Sequence, residues 1–517
     1  MPPDGGFARL VREGTWAKSL RYPYAVTDTA PGHASLHTGK VPAESGIFGN
    51  EIPWGTHRTT FLRDAKTKVV TSRGVKDAAG SSAERLFVDT VADRLRAAHP
   101  EALVLSISVK DRGAILPGGK RPTAVLWYDT PAGAFVTSTS FADSLPAWAR
   151  LGDASAVAKA RETPWTIGDR AWIEKHAKTA DEGPGEGDLD GMGTTFPHPA
   201  KTNATFRPLP ASDAMIVDLA LAGIDAEYEE GRPTLVLLSF SAHDVVGHVF
   251  GPDSWEAWDL LYKLDATLAR LFRALDAKVK SYSVLLAGDH GNLSVPELQP
   301  RATGPCAAKA DDLERPLCTP GVRLMPATIR LELLAEIEKA LGKGDFLLGI
   351  ADPYVFLTKE GRALEGERRQ KLDRAIVHHL KSKPGVAEVY DVQDLRKECP
   401  SLLASARKAP DRAHGGEDLK TLVCRSFPPA ADAGDYYVAV GPGSFWDAEY
   451  APGKGMNHGS PWLYERTVPF FVRAEGIDAK RTIDAPVDFT AYATIEAALL
   501  GLDGASPRAL LDRATAR

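Results

Sequence analysis

One stretch of the chain decides the fold, from T-L-V-L-L-S-F (Thr234–Phe240) to S-V-L-L-A-G (Ser283–Gly288). Both ends are short, continuous apolar runs, a pattern typical of strands that are covered on both faces. Between them, S-W-E-A-W-D-L-L-Y-K-L-D-A-T-L-A-R-L-F-R-A-L repeats apolar residues at helical spacing. Strand, helix and strand in this order predict a crossover unit, and therefore an α/β protein built around a mostly parallel sheet.

Further apolar runs extend this prediction along the chain. V-P-F-F-V-R-A (Val468–Ala474) and E-A-L-V-L-S-I-S-V (Glu101–Val109) have the same character as the first two strands. Residues of roughly 320–430 carry their own series of strand-like and helix-like segments, which predicts a small α+β subdomain inserted beside the main sheet.

The bulk composition excludes several classes of protein. The 517 residues carry a formal net charge of −6, without a basic stripe, so we expect no nucleic-acid partner. No apolar run approaches the roughly 20 residues of a membrane span. The amino-terminal M-P-P-D-G-G-F lacks the basic start and apolar stretch of a signal peptide.

Polar residues follow or precede each of the strong strands. Asp244 and His248 come after the first, one helical turn apart, and Asp289 and His290 come after the second. His458 lies just before the strand at Val468. Because ligands of open α/β sheets gather at the carboxyl ends of strands, we expect these side chains to meet. Two carboxylates and three imidazoles suit zinc, although manganese or magnesium also accepts such donors.

The stretch T-D-T-A-P-G-H (Thr27–His33) reads as a helix start, because Pro31 is typical of a first helical position. Thr29 has two possible roles there. It is a suitable N-cap, and it is also a candidate nucleophile, since a hydroxyl bound to a metal loses its proton more easily. The helix N-terminus would favour both the alkoxide and an incoming phosphate. Thr27 is a competing candidate, but Thr29 lies next to A-P-G-H.

The four cysteines are Cys306, Cys318, Cys399 and Cys424, and none has the C-x-x-C spacing of a zinc knuckle. Cys306 and Cys318 flank a short polar loop that a disulfide would close. Four unpaired thiols are the equally weighted alternative, so the cysteines leave the redox compartment open.

Four motifs resemble those of the alkaline phosphatase superfamily: T-A-P-G-H (Thr29–His33), S-A-H-D-V-V-G-H-V-F-G-P-D-S (Ser241–Ser254), G-D-H-G (Gly288–Gly291) and N-H-G-S (Asn457–Ser460). More narrowly, they resemble its bacterial phosphate-irrepressible branch, which uses a threonine nucleophile and is related to nucleotide pyrophosphatases and phosphodiesterases. The resemblance covers most of the chain. It implies one alkaline-phosphatase-like catalytic domain over residues 1–517, folded as a three-layer sandwich around the sheet. Inserted regions would be a substrate-site cap at roughly 60–200 and the subdomain at roughly 320–430.

The resemblance also implies a role for each site residue and two zinc ions as cofactors. Thr29 would be the nucleophile, and its oxygen would bridge toward the second zinc. Asp244, His248 and His458 would hold the first zinc, and Asp289 and His290 the second. The phosphoryl oxygens would be bound by Asn50, from F-G-N-E, and by Lys110 and Arg112, from S-V-K-D-R-G.

The charges of Lys110 and Arg112 support that last assignment independently. Residues two apart at the end of a strand point to one face, so these two side chains are expected to converge while Asp111 turns away. A phosphate monoester carries two negative charges and a diester one, so two cations favour the monoester. A solvated K-D-R turn is the alternative.

One part of the family pattern is missing. The family begins with a strand ending in an Asp that binds the second zinc, and here that strand would lie before Met1. Asp4 lies in the turn sequence P-P-D-G-G and is a poor replacement. We expect that the given chain starts late, which would place the protein, with an upstream signal peptide, in the periplasm or outside the cell. Alternatively the short chain is whole, exposes a sheet edge and binds the second zinc poorly.

The sequence therefore predicts a metal-dependent hydrolase of small-molecule phosphate monoesters that forms a phosphothreonine at Thr29. A phosphodiesterase or nucleotide pyrophosphatase on the same fold is the nearest alternative, since it needs the same metals but not Lys110 and Arg112. A catalytically impaired phosphoester-binding relic with one metal site is the other. A sulfatase is disfavoured, because T-A-P-G-H lacks the C/S-x-P-x-R context of those enzymes.

Overall fold

The computed structural model describes residues 2–54, 57–177, 179–299, 320–406, 418–428, 433–447 and 450–515. Cys306 and Cys318, and with them the predicted loop disulfide, lie outside these residues.

The α-helices of the described chain are α1 Gly6–Glu13, α2 Thr29–Thr38, α3 Pro42–Ser45, α4 Val91–Ala98, α5 Asp111–Gly118, α6 Ala154–Arg161, α7 Arg170–His176, α8 Pro210–Glu227, α9 Ala242–Phe250, α10 Trp255–Lys278, α11 Pro326–Leu341, α12 Lys359–Arg362, α13 Gly366–Lys381, α14 Val392–Ala406, α15 Leu419–Cys424, α16 Leu463–Arg466, α17 Thr490–Leu499 and α18 Pro507–Thr515. Two 3-10 turns cover Ala147–Gly152 and Ala204–Phe206.

The strands are β1 Thr15–Arg21, β2 Glu51–Trp54, β3 His57–Thr60, β4 Arg63–Thr71, β5 Gly74–Ser81, β6 Leu103–Ser108, β7 Ala124–Asp129, β8 Ala134–Ser138, β9 Thr234–Ser239, β10 Val284–Ala287, β11 Arg323–Leu324, β12 Leu347–Ala351, β13 Tyr354–Leu357, β14 Val386–Asp391, β15 Tyr436–Val440, β16 Phe445–Trp446, β17 Thr467–Arg473, β18 Arg481–Ile483 and β19 Val487–Asp488.

Two sheets form the centre of the molecule. The first has the order β5-β4-β8-β7-β6-β9, in which β6 pairs in parallel with both β7 and β9. The second has the order β10-β17-β1-β18, with β19 also on β1. Here β17 runs antiparallel to its two neighbours, whereas β18 and β19 run parallel to β1.

Helices cover both faces of these sheets. On the second sheet, Phe471 packs with Leu10 of α1 and Phe272 of α10, while the next residue along the strand, Phe470, packs on the opposite face with Ile495 of α17 and Leu511 of α18. This alternation is the period-two pattern of a strand buried on both sides. The predicted α/β class and three-layer arrangement are thereby confirmed.

The predicted crossover unit forms, but its two strands are not neighbours. The helix between them is α10, as expected, yet β9 pairs with β6 and β10 pairs with β17. Within the described residues, the other edge of each strand pairs with no strand. The apolar runs predict strands that are covered on both faces, but five of the six residues of β9 and all four of β10 are only half-buried. Such runs carry no information on which strand lies alongside.

A third sheet lies within the region predicted to be an α+β insertion. Its order is β12-β13-β15-β14, and α11 and α13 pack on it through a core that includes Leu333, Ile376 and Val438. The insertion boundaries themselves, roughly 60–200 and 320–430, and the single-domain interpretation stay predictions.

The structure pairs Cys399 with Cys424 in a disulfide that joins α14 to α15. The alternative of four unpaired thiols is therefore wrong. The two cysteines are 25 positions apart, so their pairing depends on how the two helices pack and is not readable from local spacing.

Candidate active site

The candidate site lies where several strands end. Lys110 follows β6, Asp244 follows β9 and Asp289 follows β10. Helix α2 contributes its N-terminus to the same place, because the N-terminal turn of α2 packs against the backbone of Asp289. At Gly32 that approach is so close that a Cβ atom would lie 2.2 Å from the Asp289 carbonyl oxygen, which excludes any larger residue there.

Thr29 is the first residue of α2, and Asp28 is its N-cap. Pro31 therefore occupies the third helical position, not the first. The N-cap interpretation of Thr29 is wrong, since its hydroxyl contacts the side chain of Lys110, with 3.1 Å from Nζ to Oγ1. Asn50 lies beside the same helix start, where its Oδ1 accepts a hydrogen bond of 2.9 Å from the Ala30 N–H.

Asp244 lies at the centre of the cluster and contacts His248 of its own helix and groups from three other segments. Its Oδ2 accepts a hydrogen bond from the Lys110 ammonium and lies 3.2 Å from His248 Nε2. Its Oδ1 lies 3.3 Å from His458 Nε2 and 3.6 Å from His290 Nε2. One carboxylate therefore contacts both the Lys110 ammonium and the imidazoles of the cluster.

Asp244, His248 and His458 place their ligand atoms within 4.8 Å of one another, and they are the one group of this kind in the described residues. Each imidazole is oriented by a backbone carbonyl from a distant segment. His248 Nδ1 lies 3.0 Å from Met456 O, and His458 Nδ1 lies 2.9 Å from Thr27 O. Because a carbonyl oxygen can only accept, Nδ1 carries a proton in both rings, and Nε2 is the atom directed toward Asp244. This is the orientation in which protein metal sites hold histidine.

Asp289 and His290 form the other side of the cluster. His290 Nε2 lies 3.6 Å from Asp289 Oδ2 and is buried without a hydrogen-bond partner in the described chain. Its Nδ1 contacts only the neighbouring Gly291 carbonyl, at 3.2 Å. The ring stacks on that of His458, with 3.6 Å between centroids. An unpaired buried Nε2 beside two carboxylates suits a bound cation.

Two of the three imidazoles in the cluster are neutral at pH 7, as metal ligands must be, whereas the third, His458, carries a proton that a bound metal ion would have to displace. The pKa of Asp244 is held well below its usual value because, although burial opposes ionisation, His248 and Lys110 favour it. Burial lowers the pKa of His290 to about 4, so this imidazole is neutral at pH 7. Burial likewise lowers the pKa of His248. Burial also acts to lower the pKa of His458, but its contacts with Asp244 and Asp28 outweigh burial and raise this pKa to about 10.

Sequence reasoning missed His33, although it stands in the quoted motif. Its Nδ1 lies 2.9 Å from Thr29 O and 3.3 Å from Asp289 Oδ2, and its Nε2 lies 2.9 Å from Ser239 Oγ. His33 thus joins the nucleophile candidate, β9 and the segment after β10. Its spacing of one helical turn from Thr29 was the available signal.

Asp28 and Tyr450 were also missed. Asp28 Oδ1 lies 3.4 Å from His458 Nδ1. Gly459, at φ 102°, lets it approach, because a Cβ there would lie 2.9 Å from that oxygen. The Tyr450 ring stacks on His248 at 5.1 Å and accepts a hydrogen bond of 2.8 Å from Arg207 at its hydroxyl. Asp28 stands in the quoted stretch Thr27–His33 without having been assigned a role, and no sequence motif marked Tyr450.

Lys110 and Arg112 lie at a strand-to-helix junction, not along a strand. Lys110 is the N-cap of α5, and Arg112 lies in its first turn. The expectation that Asp111 turns away is wrong, because its Oδ1 lies 3.7 Å from Arg112 Nη1. Lys110, Asp111 and Arg112 all border one cavity of about 200 Å³, together with Thr60, Ser81 and Trp127. Asp111 accepts hydrogen bonds there from the Thr60 and Ser81 hydroxyls, at 2.8 and 3.0 Å.

Comparison with known proteins gives a family. The model of the type I phosphodiesterase / nucleotide pyrophosphatase family matches residues 4–459. The chain is 37% identical over 312 residues to the alkaline phosphatase PhoV of Synechococcus elongatus, an alignment that covers 57% of this chain and 55% of that protein. The chain thus spans little more than half the length of that relative.

A second relative is matched over most of its length. The alkaline phosphatase PhoK of a Sphingomonas species is 27% identical over 486 residues, covering 92% of this chain and 80% of that protein. Among solved structures, wild-type alkaline phosphatase PafA superposes with a TM-score of 0.79 at 23% identity, covering 98% of this chain and 92% of that one. This last match shows the same fold.

Proposed function

Because this chain belongs to the type I phosphodiesterase / nucleotide pyrophosphatase family, we propose that it hydrolyses phosphate monoesters by attack of the Thr29 hydroxyl. The single observation that carries the proposal is the contact of Thr29 Oγ1 with Lys110 Nζ, at 3.1 Å, beside the Asp244 carboxylate. In this arrangement the Thr29 hydroxyl, the Lys110 cation and the ligand cluster around Asp244, which come from distant segments, meet at the N-terminus of α2.

Two metal ions, which we propose to be zinc, fit the residues of the cluster. Asp244, His248 and His458 would hold one, and Asp289, His290 and the Thr29 oxygen the other. The inward Nε2 atoms and the unpaired His290 Nε2 support this assignment. When bound, the metals supply Lewis-acid chemistry: they favour the ionised hydroxyl and neutralise charge on the phosphoryl group.

The phosphoryl oxygens would be held by Lys110, Arg112 and Asn50. Lys110 is only 4% exposed, so its charge acts in a poorly solvated setting, where it is worth more than in water. The buried Arg112 Nε has no hydrogen-bond partner in the described chain and is available for an oxygen. Two cations match the two negative charges of a monoester.

The reaction would proceed in two displacements. Thr29 Oγ attacks phosphorus in line, the hydroxyl proton is lost, and the P–O bond to the leaving group breaks, which gives phosphothreonine and an alcohol after protonation. Water then attacks the phosphothreonine, and the P–O bond to Thr29 breaks to release inorganic phosphate and restore the hydroxyl. Backbone N–H groups at the start of α2 favour the negative charge throughout.

The family description favours a second candidate function, phosphodiester hydrolysis. The same nucleophile and ligands would serve it, but a diester has one charged non-bridging oxygen and gains less from Lys110 and Arg112. The ratio of kcat/KM for 4-nitrophenyl phosphate and methyl 4-nitrophenyl phosphate discriminates the two. We expect the monoester to be preferred, and a preference for the diester would overturn the monoesterase proposal.

Thr29→Ala tests the nucleophile, with Thr38→Ala as the matched control. Thr38 lies at the other end of the same helix, where its hydroxyl donates to Ala34 O at 2.6 Å and accepts from Lys40 N–H at 3.1 Å. We expect Thr29→Ala to abolish turnover of 4-nitrophenyl phosphate and ³²P labelling of the protein, while Thr38→Ala keeps both. Full turnover or full labelling in Thr29→Ala would contradict the proposal.

We further propose that the protein works in the periplasm or outside the cell. The Cys399–Cys424 disulfide supports this, because such bonds persist in oxidising compartments. No helix in the described ranges is long and apolar enough to cross a membrane. We also propose that the predicted cap region, roughly 60–200, borders the substrate, since Thr60, Ser81 and Trp127 line the cavity beside Lys110.

A further inference from the structure

We propose that the cavity beside Lys110 binds a carboxylate carried by the alcohol part of the substrate, and that Arg207 is the residue that recognises this carboxylate. The preferred substrates would then be phosphate monoesters of small hydroxy acids. This inference rests on the proposed function and deepens it, because it names a substrate class for the same site. The position of the cavity, its size, the charges around it and the surroundings of Arg207 carry the argument.

The cavity extends from the phosphoryl-binding residues toward the surface. Lys110, whose Nζ lies 3.1 Å from Thr29 Oγ1, borders the cavity and is only 4% exposed. Arg63 also borders the cavity and is exposed. A substituent of the alcohol can therefore occupy the cavity while Lys110 and Arg112 hold the phosphoryl group.

The volume of the cavity restricts what it can hold. It measures about 200 Å³, whereas pockets for drug-sized ligands measure about 300–1,000 Å³. Trp127 and Tyr128 form buried walls, and Tyr128 Oη donates a hydrogen bond of 2.8 Å to Asn203 O. The cavity therefore has room for an acid of a few carbon atoms, but not for a nucleoside.

The charged side chains around the cavity favour an anion. Four of its lining residues are cationic and two are acidic: Arg63, Lys110, Arg112 and Arg207 against Asp111 and Asp129. Donors already engage both carboxylates. Asp111 accepts hydrogen bonds from the Thr60 and Ser81 hydroxyls, at 2.8 and 3.0 Å. Asp129 Oδ1 accepts one of 2.7 Å from the Ala132 N–H. The excess of positive charge makes an acidic group a better occupant than a neutral one.

Arg207 lacks an acidic partner, unlike Lys110, which is paired with Asp244. Its Nη2 donates a hydrogen bond of 2.8 Å to the Tyr450 hydroxyl, and it forms no ion pair with a carboxylate in the part of the chain that the structure describes. One guanidinium without a counter-ion matches the single negative charge of a carboxylate, whereas a second phosphate would bring about two.

The guanidinium of Arg207 is also held in position relative to the ligand cluster. Its Cζ lies 5.2 Å from the centroid of the Tyr450 ring, which in turn stacks on His248. The preceding residue, Phe206, is fully buried and packs on Tyr128 of the cavity wall, with 4.9 Å between ring centroids. A cation that is fixed before the ligand arrives loses little conformational entropy on binding, which favours affinity.

The test compares two substrates that differ in charge at the end remote from phosphorus, 3-phosphooxypropanoate and its amide, 3-phosphooxypropanamide. Both release a three-carbon primary alcohol, and the carboxylate and the amide have nearly the same size. We expect kcat/KM of the parent protein to be at least about ten-fold higher for the acid, because a charge-assisted contact with Arg207 is stronger than a neutral one. Equal values for the two substrates, or a preference for the amide, would overturn the inference.

Arg207→Gln tests the residue itself, with Arg270→Gln as the matched control. In Arg207→Gln, kcat/KM for the acid should fall at least about ten-fold more than kcat/KM for the amide, since glutamine keeps a polar group but no charge. Arg207→Lys keeps the charge in a different geometry and should retain part of the preference. Arg270 pairs with Asp218 at the surface, so its replacement should leave the ratio of the two values as in the parent. Equal losses on both substrates in Arg207→Gln would mean that Arg207 only supports Tyr450, and would also overturn the inference.

Failure of this inference is distinguishable from failure of the proposed function. Turnover of 4-nitrophenyl phosphate, with equal kcat/KM for the acid and the amide, would leave the phosphatase activity in place and remove the carboxylate site. No turnover of any of the three compounds would overturn both proposals. The comparison of the acid with the amide needs no variant, so the inference stays testable if Arg207→Gln does not fold.

Discussion

The two halves of the ligand cluster differ in how they are supported. His248 and His458 each take their orientation from a carbonyl of a distant segment, Met456 O and Thr27 O. His290 takes its Nδ1 contact from its own neighbour, Gly291, and its Nε2 has no partner in the described residues. Asp289 and His290 also follow β10, which pairs on one side with β17 and, among the residues that the structure describes, with no strand on the other.

This difference teaches which half is preorganised. Long-range contacts hold a ligand in place because moving it would disturb several packed segments, whereas a contact with the next residue moves with the ligand. The group of Asp244, His248 and His458 should therefore keep its geometry without help. His290 should depend more on what binds to it, whereas Asp289 is also held by His33, whose Nδ1 lies 3.3 Å from its Oδ2.

The largest expected effect comes from Asp244→Asn, which tests whether the two halves act as one site. Asp244 contacts both halves and neutralises the buried Lys110 ammonium. We expect kcat/KM for 4-nitrophenyl phosphate to fall by about 10³-fold or more. Asp218→Asn is the control, since Asp218 pairs with Arg270 at the surface. A loss below ten-fold would mean that the halves function separately.

Metal retention measures the difference between the halves directly. In metal-loaded protein dialysed against a graded series of chelator concentrations, His248→Asn should lose its more tightly bound metal at about 10- to 100-fold lower chelator than the parent. Asp289→Asn should leave that metal in place and release only the weaker one. Metal content by elemental analysis is the readout. Equal retention of metal in both variants would mean that the two halves of the cluster do not differ in how firmly they hold a metal ion.

Lys110→Ala and Arg112→Ala test the charge of the substrate against the same cluster. Each substitution should lower kcat/KM for the monoester by about 10- to 100-fold more than for the methyl diester. The monoester has one more negative charge, so it loses more when a cation is removed. Lys120→Ala, which removes a partly exposed ammonium paired with Asp89, is the control. Equal losses on both substrates would favour the phosphodiesterase alternative.

The smallest expected effect concerns the loop that packs beside the half of the cluster formed by Asp244, His248 and His458. Gly187 N donates to Val249 O, and Gly455 N donates to Gly185 O. Between them lies Glu186, 5% exposed, whose carboxyl has no hydrogen-bond partner in the described chain. Burial, and then the charge of Glu256, raises its pKa from 4.5 to about 9.

Between pH 4.5 and about 9, the folded protein therefore holds a proton at Glu186 that the unfolded chain has lost. The free energy of unfolding should fall as pH rises through this window, by at most about 1.4 kcal/mol per pH unit. Thermal melts at pH 6 and pH 8.5 should show a smaller decrease in Tm for Glu186→Gln than for the parent. Glu174→Gln, on the surface of α7, should behave like the parent. Parallel curves for all three proteins would contradict the shifted pKa.

Much of the fold was predictable because periodicity is a local property. The runs at Thr234, Ser283 and Val468 became β9, β10 and β17, and the long amphipathic segment became α10. Strand neighbours were not predictable, since β10 pairs with β17 across nearly 200 positions of sequence. Pairing depends on which apolar faces meet, and many strands of this chain have similar faces.

The candidate site divides in the same way. Ligand-type residues after the strands were visible in the sequence, because their chemistry depends on residue type and on position along the strand. The contributions of Asp28 and Tyr450 were not, because each acts through a contact with a remote segment, His458 or His248. His33 had a sequence signal in its spacing from Thr29, but its contacts with Ser239 and Asp289 did not. The turn of Asp111 toward the cavity was also missed, since it follows from the start of α5 at that residue.

By itself, the sequence determined the element types, the residue classes at the strand ends and the hydroxyl at Thr29, because all of these follow from local order along the chain. Only the tertiary structure decided that Thr29 meets Lys110, that Asp244 joins both halves of the cluster, that Cys399 pairs with Cys424, and that β9 pairs with β6 while β10 pairs with β17. Those facts depend on distances between segments far apart in the chain, and packing of the whole core sets such distances.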